Sequence, residues 1–159
     1  MKRISLFAIT FLITLCINAQ STFKFDKGSE VSGCANVLLQ KNSPDLEYEL
    51  RIDLQPGNLV EKKELDINKY PKFIAVYLNQ YSKGNDNIVP PCNDVIGIEL
   101  INRIDTYKAV TGTLIINKTL SNHKISVTIK NVVLENDFGK QIKLPLEIFK
   151  NVSVGGLGG

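Results

Sequence analysis

The chain has 159 residues, with 19 Lys and Arg against 16 Asp and Glu, one His, three Cys and no Trp. A mixed charge summing to +3 lacks the clustered basic footprint that nucleic acid or an anionic membrane requires. A single imidazole excludes the paired-His zinc pattern and leaves any Ser-His-Asp or Cys-His mechanism resting on His123 alone.

Residues 1–19 read as a cleavable export signal. Lys2 and Arg3 supply a positive head, Ile4 to Ile17 form an apolar, Ser- and Thr-containing middle, and Ala19 is a small exit residue. The middle is too short to span a bilayer. Cleavage after Ala19 removes Lys2, Arg3 and no acidic residue, so the net charge falls from +3 to +1. The expected address is the periplasm, outer cell envelope or extracellular space. Lipidation at Cys16 would tether the protein to a membrane, but Leu15 stands where a lipidation box carries Gly, Ala or Ser. One domain is expected over 20–154, followed by a Gly-rich tail at 155–159 with too little side chain to pack.

Cys34 and Cys92 remain after cleavage, and two cysteines in an oxidising compartment favour a disulfide. Closing so long a loop would restrict the unfolded chain by roughly 4 kcal/mol in the entropy model.

Segments near 22–25, 31–40 and 59–67 are weak strand candidates, the last competing with a two-turn helix over 59–66. Leu46, Tyr48, Leu50, Ile52 and Leu54 alternate with charges, and period two means one buried and one wet face. Asn42–Asp45 before them and Gln55–Gly57 after them are turn chemistry. Residues 73–81 carry apolar side chains on both parities and predict a strand buried on both faces. Alternation returns at Ile96, Ile98 and Leu100, then from Val110 to Ile116, then at Ile125, Val127 and Ile129. There Asn131 takes an apolar slot and Val132–Leu134 crowd both faces, a change of phase that predicts a β-bulge. Asn136–Gly139 turns the chain into Ile142–Ile148, where Pro145 predicts an edge or bulge.

Eight or nine short strands without a three-turn amphipathic helix predict an all-β fold. An antiparallel β-sandwich of immunoglobulin-like, Greek-key type is preferred to a lipocalin-like barrel, whose Gly-x-Trp signature is impossible without Trp. The run from Gly97-Ile98-Glu99-Leu100 through Val110-Thr111-Gly112-Thr113-Leu114 to Ile125-Ser126-Val127-Thr128-Ile129 resembles small exported β-sandwich proteins and lipoproteins of Gram-negative bacteria of uncharacterised function. The resemblance covers about residues 73–134 and implies export and fold, with no catalytic residue to transfer.

No catalytic residue, cofactor or metal is expected. Glu47, Glu49 and Asp53 share a strand face and would suit a carboxylate-only hydrolase, but their alternation with Arg51 reads as a solvated face. The segment 82–94, with Asn85, Asp86 and Asp94 around Pro90, Pro91 and Cys92, offers oxygen ligands of a kind calcium favours, without EF-hand spacing. As a long tethered loop it is the first binding candidate, together with Tyr70, Tyr81 and Tyr107. The competing packing account puts Tyr48 and Tyr77 in the core and leaves the hydroxyls of those three wet. The leading expectation is a non-enzymatic exported protein acting in binding or as an envelope component, its ligand an unknown protein or saccharide. The alternative is an inhibitor or immunity-type partner of an exported enzyme.

Overall fold

The computed structural model describes residues 23–25, 30–33, 36–55, 62–86, 88, 102–119 and 124–153. The export signal, Cys16, Cys34, Cys92, Asp94, His123, the strand expected at Ile96–Leu100 and the Gly-rich tail lie outside them.

The fold is all-β and antiparallel. Among the described residues nine strands form one sheet: β1 (Glu30–Gly33), β2 (Asn36–Asn42), β3 (Tyr48–Leu54), β4 (Lys62–Asp66), β5 (Ile74–Tyr81), β6 (Arg103–Thr119), β7 (Lys124–Glu135), β8 (Gln141–Lys143) and β9 (Glu147–Ser153). The helix that competed for 59–66 does not form over its described part. Instead β4 runs into a single 3-10 turn, Ile67–Lys69, capped by the Asp66 carboxylate, which accepts from the Asn68 N–H.

The hydrogen-bonded path runs β1-β2-β3-β5-β6-β7-β8, with β4 added to β6 and β9 to β7. β6 is the spine. Its first half pairs with β5, from Tyr81↔Arg103 to Tyr77↔Lys108, and its second half pairs with β4 over 113–117. β7 changes partner in the same way, holding β8 at 133–135 and β9 at 124–129.

Both strands switch partner at a pair of bulges. Ala109↔Leu134 is followed by Thr111↔Val133, so Val110 is an extra residue in β6. Thr111↔Val133 is followed by Thr113↔Lys130, so Asn131–Val132 together oppose Gly112. The bulge expected at Asn131 is present, with Asn131 at φ 54°, a left-handed conformation Asn tolerates. The core face changes phase at the same level in both strands, from Tyr107 to Leu114 in β6 and from Ile129 to Val132 in β7. Gly112 stands at the crossing with φ 142°, where an added Cβ would lie 2.8 Å from Val132 Cγ2 and 3.1 Å from Ile67 Cδ1. Only glycine fits there.

Leu50, Ile52 and Leu54 of the alternating strand enter the core with Val76, Leu78, Leu114, Ile116, Val127, Leu134 and Phe149. Pro145 lies outside both strands, because the run expected at Ile142–Ile148 divides into β8 and β9 around it. β9 curves back against β1, so the sheet nearly closes on itself. At this seam Lys41 of β2 reaches β9. Its Nζ lies 2.8 Å from Glu147 Oε2, donates to the Ile148 carbonyl at 2.9 Å, and sits 4.8 Å from the Phe149 ring centre.

Candidate functional site

The register brings Tyr81, Asn85, Asp86 and Tyr107 to one end of the sheet, where β5 finishes and β6 begins. Tyr70 lies at the other end, before β5 starts. Three of the proposed binding residues are occupied by the fold. Asn85 is 8% exposed, donates to the Leu46 carbonyl at 3.2 Å and accepts from Asn102, bracing the base of the loop. Tyr81 and Tyr107 are buried, which reverses the expectation that their hydroxyls stay wet, whereas Tyr48 and Tyr77 are half-buried. Asp86 and Tyr70 are exposed.

Glu49 departs furthest from the sequence pattern. It sits on the strand face opposite Leu50 and Ile52, yet is 3% exposed. One oxygen, Oε2, accepts from Asn79 Nδ2 at 2.7 Å and from the Tyr81 hydroxyl at 2.9 Å. Asn79 Oδ1 in turn accepts from the Thr106 hydroxyl at 3.0 Å. A buried carboxylate is tolerated when donors converge on it, and these come from the neighbouring strand in direct register, Glu49↔Asn79↔Thr106. Alternation marks a face; it does not say whether that face is covered. Burial, reinforced by the Glu49 charge, holds the Tyr81 hydroxyl well above the ordinary phenol range, against the pull of Arg103 and Arg51. Asp53 on the same strand face is held by Arg51 Nε at 3.0 Å.

A second polar cluster lies at the same end. The Tyr107 hydroxyl is enclosed beside Asp105 and Lys140, and neither meets it in good hydrogen-bond geometry. Burial raises Tyr107 from its usual range, opposed in part by Lys140. Burial also acts to raise Asp105, but the Asn136 amide at 2.8 Å, the nearby Tyr107 hydroxyl, the Thr106 N–H and the Lys140 charge outweigh it, and the carboxyl is lowered.

Asn136 also builds the turn between β7 and β8. Its Oδ1 accepts from the N–H groups of Phe138 (3.1 Å) and Lys140 (2.9 Å), its N–H donates to the Lys140 carbonyl, and its own carbonyl accepts from Gly139 N–H. Gly139 supplies φ 77°. At the tip of this braced turn Phe138 is 92% exposed. Turn chemistry at 136–139 was legible in the sequence; a fully solvent-facing ring was not, since Phe is more often drawn inward.

At the opposite end, an open depression of about 170 Å³ lies between the end of β3 and the start of β5, lined by Asp53, Pro71, Lys72, Phe73, Ile74 and Ala75. Its rim is a hydrogen-bonded turn in which the N–H groups of Phe73 and Ile74 donate to the Tyr70 carbonyl and Gln55 N–H donates to the Phe73 carbonyl. Phe73 is 41% and Tyr70 39% exposed. Its one carboxylate, Asp53, is the group paired with Arg51. Among the described residues no group of three or more His, Cys, Asp or Glu is arranged to hold a metal ion.

Comparison with protein-family models, curated proteins and solved structures gives no match. The site therefore rests on its own chemistry: two polar clusters that engage Glu49, Tyr81 and Asp105, and exposed apolar rings on hydrogen-bonded turns towards both ends.

Proposed function

We propose that this chain is an exported, non-enzymatic β-protein that works by contact with another macromolecule, as a binding or structural component of the cell envelope. The observation that carries this reading is Phe138, 92% exposed on a turn fixed by the Asn136 hydrogen bonds. A ring held out rigidly loses little conformational freedom on docking, the property of an interface anchor. The engagement of Glu49 by Asn79 and Tyr81, and of Asp53 by Arg51, supports the non-enzymatic reading over a carboxylate-only hydrolase. The inhibitor-type alternative would place the same turn in an enzyme cleft. For the finer architecture, the continuous pairing from β1 to β7, with β9 added to β7, and the Lys41 bridge at the seam support a barrel-like closure over two separate sheets.

The test is a photo-crosslinking residue placed at position 138 of the exported protein in cells, with position 150 as an exposed control. Discrete adducts from 138 alone support the reading. No adducts, or the same smear from both positions, would sink it.

A further inference from the structure

An exposed ring stands at one end of this molecule and a depression opens towards the other. We propose that the partner of Phe138 is a second copy of this chain, whose depression at Pro71–Phe73 receives the ring, so that copies associate head to tail. The inference rests on the contact reading above and names the partner.

Size comes first. The depression measures about 170 Å³, and a cavity of roughly 150 Å³ accepts a benzene ring. Pro71 and Phe73, both exposed, are the apolar side chains of its lining, beside the polar Asp53, Gln55 and Lys72, while Ile74 is buried in the core. Phe73 is itself 41% exposed, so an incoming ring would meet an aromatic partner already half out of the fold.

Charge supports the same occupant. Asp137 immediately precedes Phe138 and Lys72 immediately precedes Phe73, all four being exposed. Ring-to-ring contact brings that acid and that base together at its edge. With a net charge of only +3, copies do not repel one another strongly. A lipid surface is the weaker fit, because one ring flanked by an acid lacks the basic surround that holds a loop on anionic headgroups.

Position decides the kind of assembly. The depression lies where β5 begins, and the Asn136–Lys140 turn lies beside the second half of β5, since Lys108 pairs with both Tyr77 and Glu135 and the turn continues past them. Ile74 and Tyr77 are three residues apart, and Phe138 lies three beyond Glu135, so about six residues of strand separate ring and depression, about 20 Å at the usual rise per residue. A knob and a socket towards opposite ends make a heterologous contact, which propagates into rings or open chains.

The experiment is analytical ultracentrifugation of the purified protein over a wide concentration range, with Phe138→Ala removing the knob and Phe73→Glu blocking the socket. Lys72→Glu, at an exposed position, serves as a second socket variant should Phe73→Glu weaken the fold. The wild type is expected to form a ladder of oligomers, and each variant to weaken association about 30-fold, as loss of an anchor residue does. Mixing the knob variant with a socket variant should restore association, but only to dimers, because each copy then retains one working end. A wild type monomeric throughout, variants that associate like it, or a mixture that stays monomeric overturns the inference. Vesicle binding dependent on Phe138 without self-association overturns it as well. Position-138 adducts to other proteins beside a monomeric wild type would sink this inference and leave the contact reading standing. Loss of both signals sinks both.

Discussion

Lys41 Nζ and Glu147 Oε2 meet at 2.8 Å across the seam where the first and last strands approach, with side chains only 12% and 14% exposed. No ladder register joins β2 to β9, so this pair, with the Ile148 carbonyl and the Phe149 ring, is the polar clasp of the seam. Lys41→Ala should cost about 2–4 kcal/mol, because it strands a carboxylate with little access to water. Replacing both partners, as Lys41→Met with Glu147→Leu, should cost less than either single change. Urea unfolding of the four proteins checks this, and additive costs would show that the pair is not coupled.

Tyr81 gives the alkaline behaviour. Its hydroxyl is held above the ordinary value of 10.0 by burial and by Glu49. Below pH 10 both folded and unfolded chains keep the proton, and the full stabilisation is present. Above it the unfolded chain ionises first, so stability falls as pH rises toward the folded value. Tyr81→Phe should lose about 1.5–3 kcal/mol at neutral pH, the worth of a hydrogen bond to a charged group. It should also flatten the decline between pH 10 and 11.5, measured by urea midpoints.

Asp105 sets part of the acid limit. Its folded value lies below 3.8, so its stabilisation is complete above that pH and is lost as pH falls through the folded value. Asn136→Ala removes the 2.8 Å amide contact and two acceptor bonds of the turn. A loss of about 2–3 kcal/mol at pH 7 and a shallower fall below pH 4 are expected. Equal pH slopes in the two proteins would show that Asp105 does not draw on Asn136.

Gly112 and Gly139 separate crowding from backbone strain. Gly112→Ala should cost about 2–4 kcal/mol, since the new methyl collides with Val132 at 2.8 Å and φ is unfavourable. Gly139→Ala meets nothing within 4 Å and should cost only about 1 kcal/mol, from its φ of 77°. Thermal melts that rank them the other way would refute the bulge-crossing account.

Phe138→Ser should leave stability unchanged to within about 0.5 kcal/mol, because 92% of the ring already faces water. A larger loss in urea unfolding would mean that the ring packs within its own chain and is not an anchor.

What could be read without coordinates follows from local chemistry. Leu50, Ile52 and Leu54 announced their buried face through period two, and Asn131 announced its bulge by breaking phase. Glu49 misled, because alternation reports which residues share a face but not what lies over it. Its donors, Asn79 and Tyr81, are 30 and 32 positions away, and their alignment depends on a strand pairing that no local pattern encodes. The division of β6 between β4 and β5 was hidden for the same reason. At the proposed contact surface, the turn was visible in Asn136 and Gly139, but the outward ring depends on the latch from Asn136 to Asp105 on another strand.

The paired bulges make β6 and β7 a reading frame in three dimensions. Val110 inserts one residue in one strand, Asn131–Val132 insert one in the other, and Thr113↔Lys130 resumes the alignment of Ala109↔Leu134. Deleting either extra residue alone would slip one half of the hairpin by one position and turn its core side chains outward. Deleting both would keep the frame while removing the bend. Insertions and deletions in this hairpin are therefore tolerable only in compensating pairs, and each strand carries the spelling of the other.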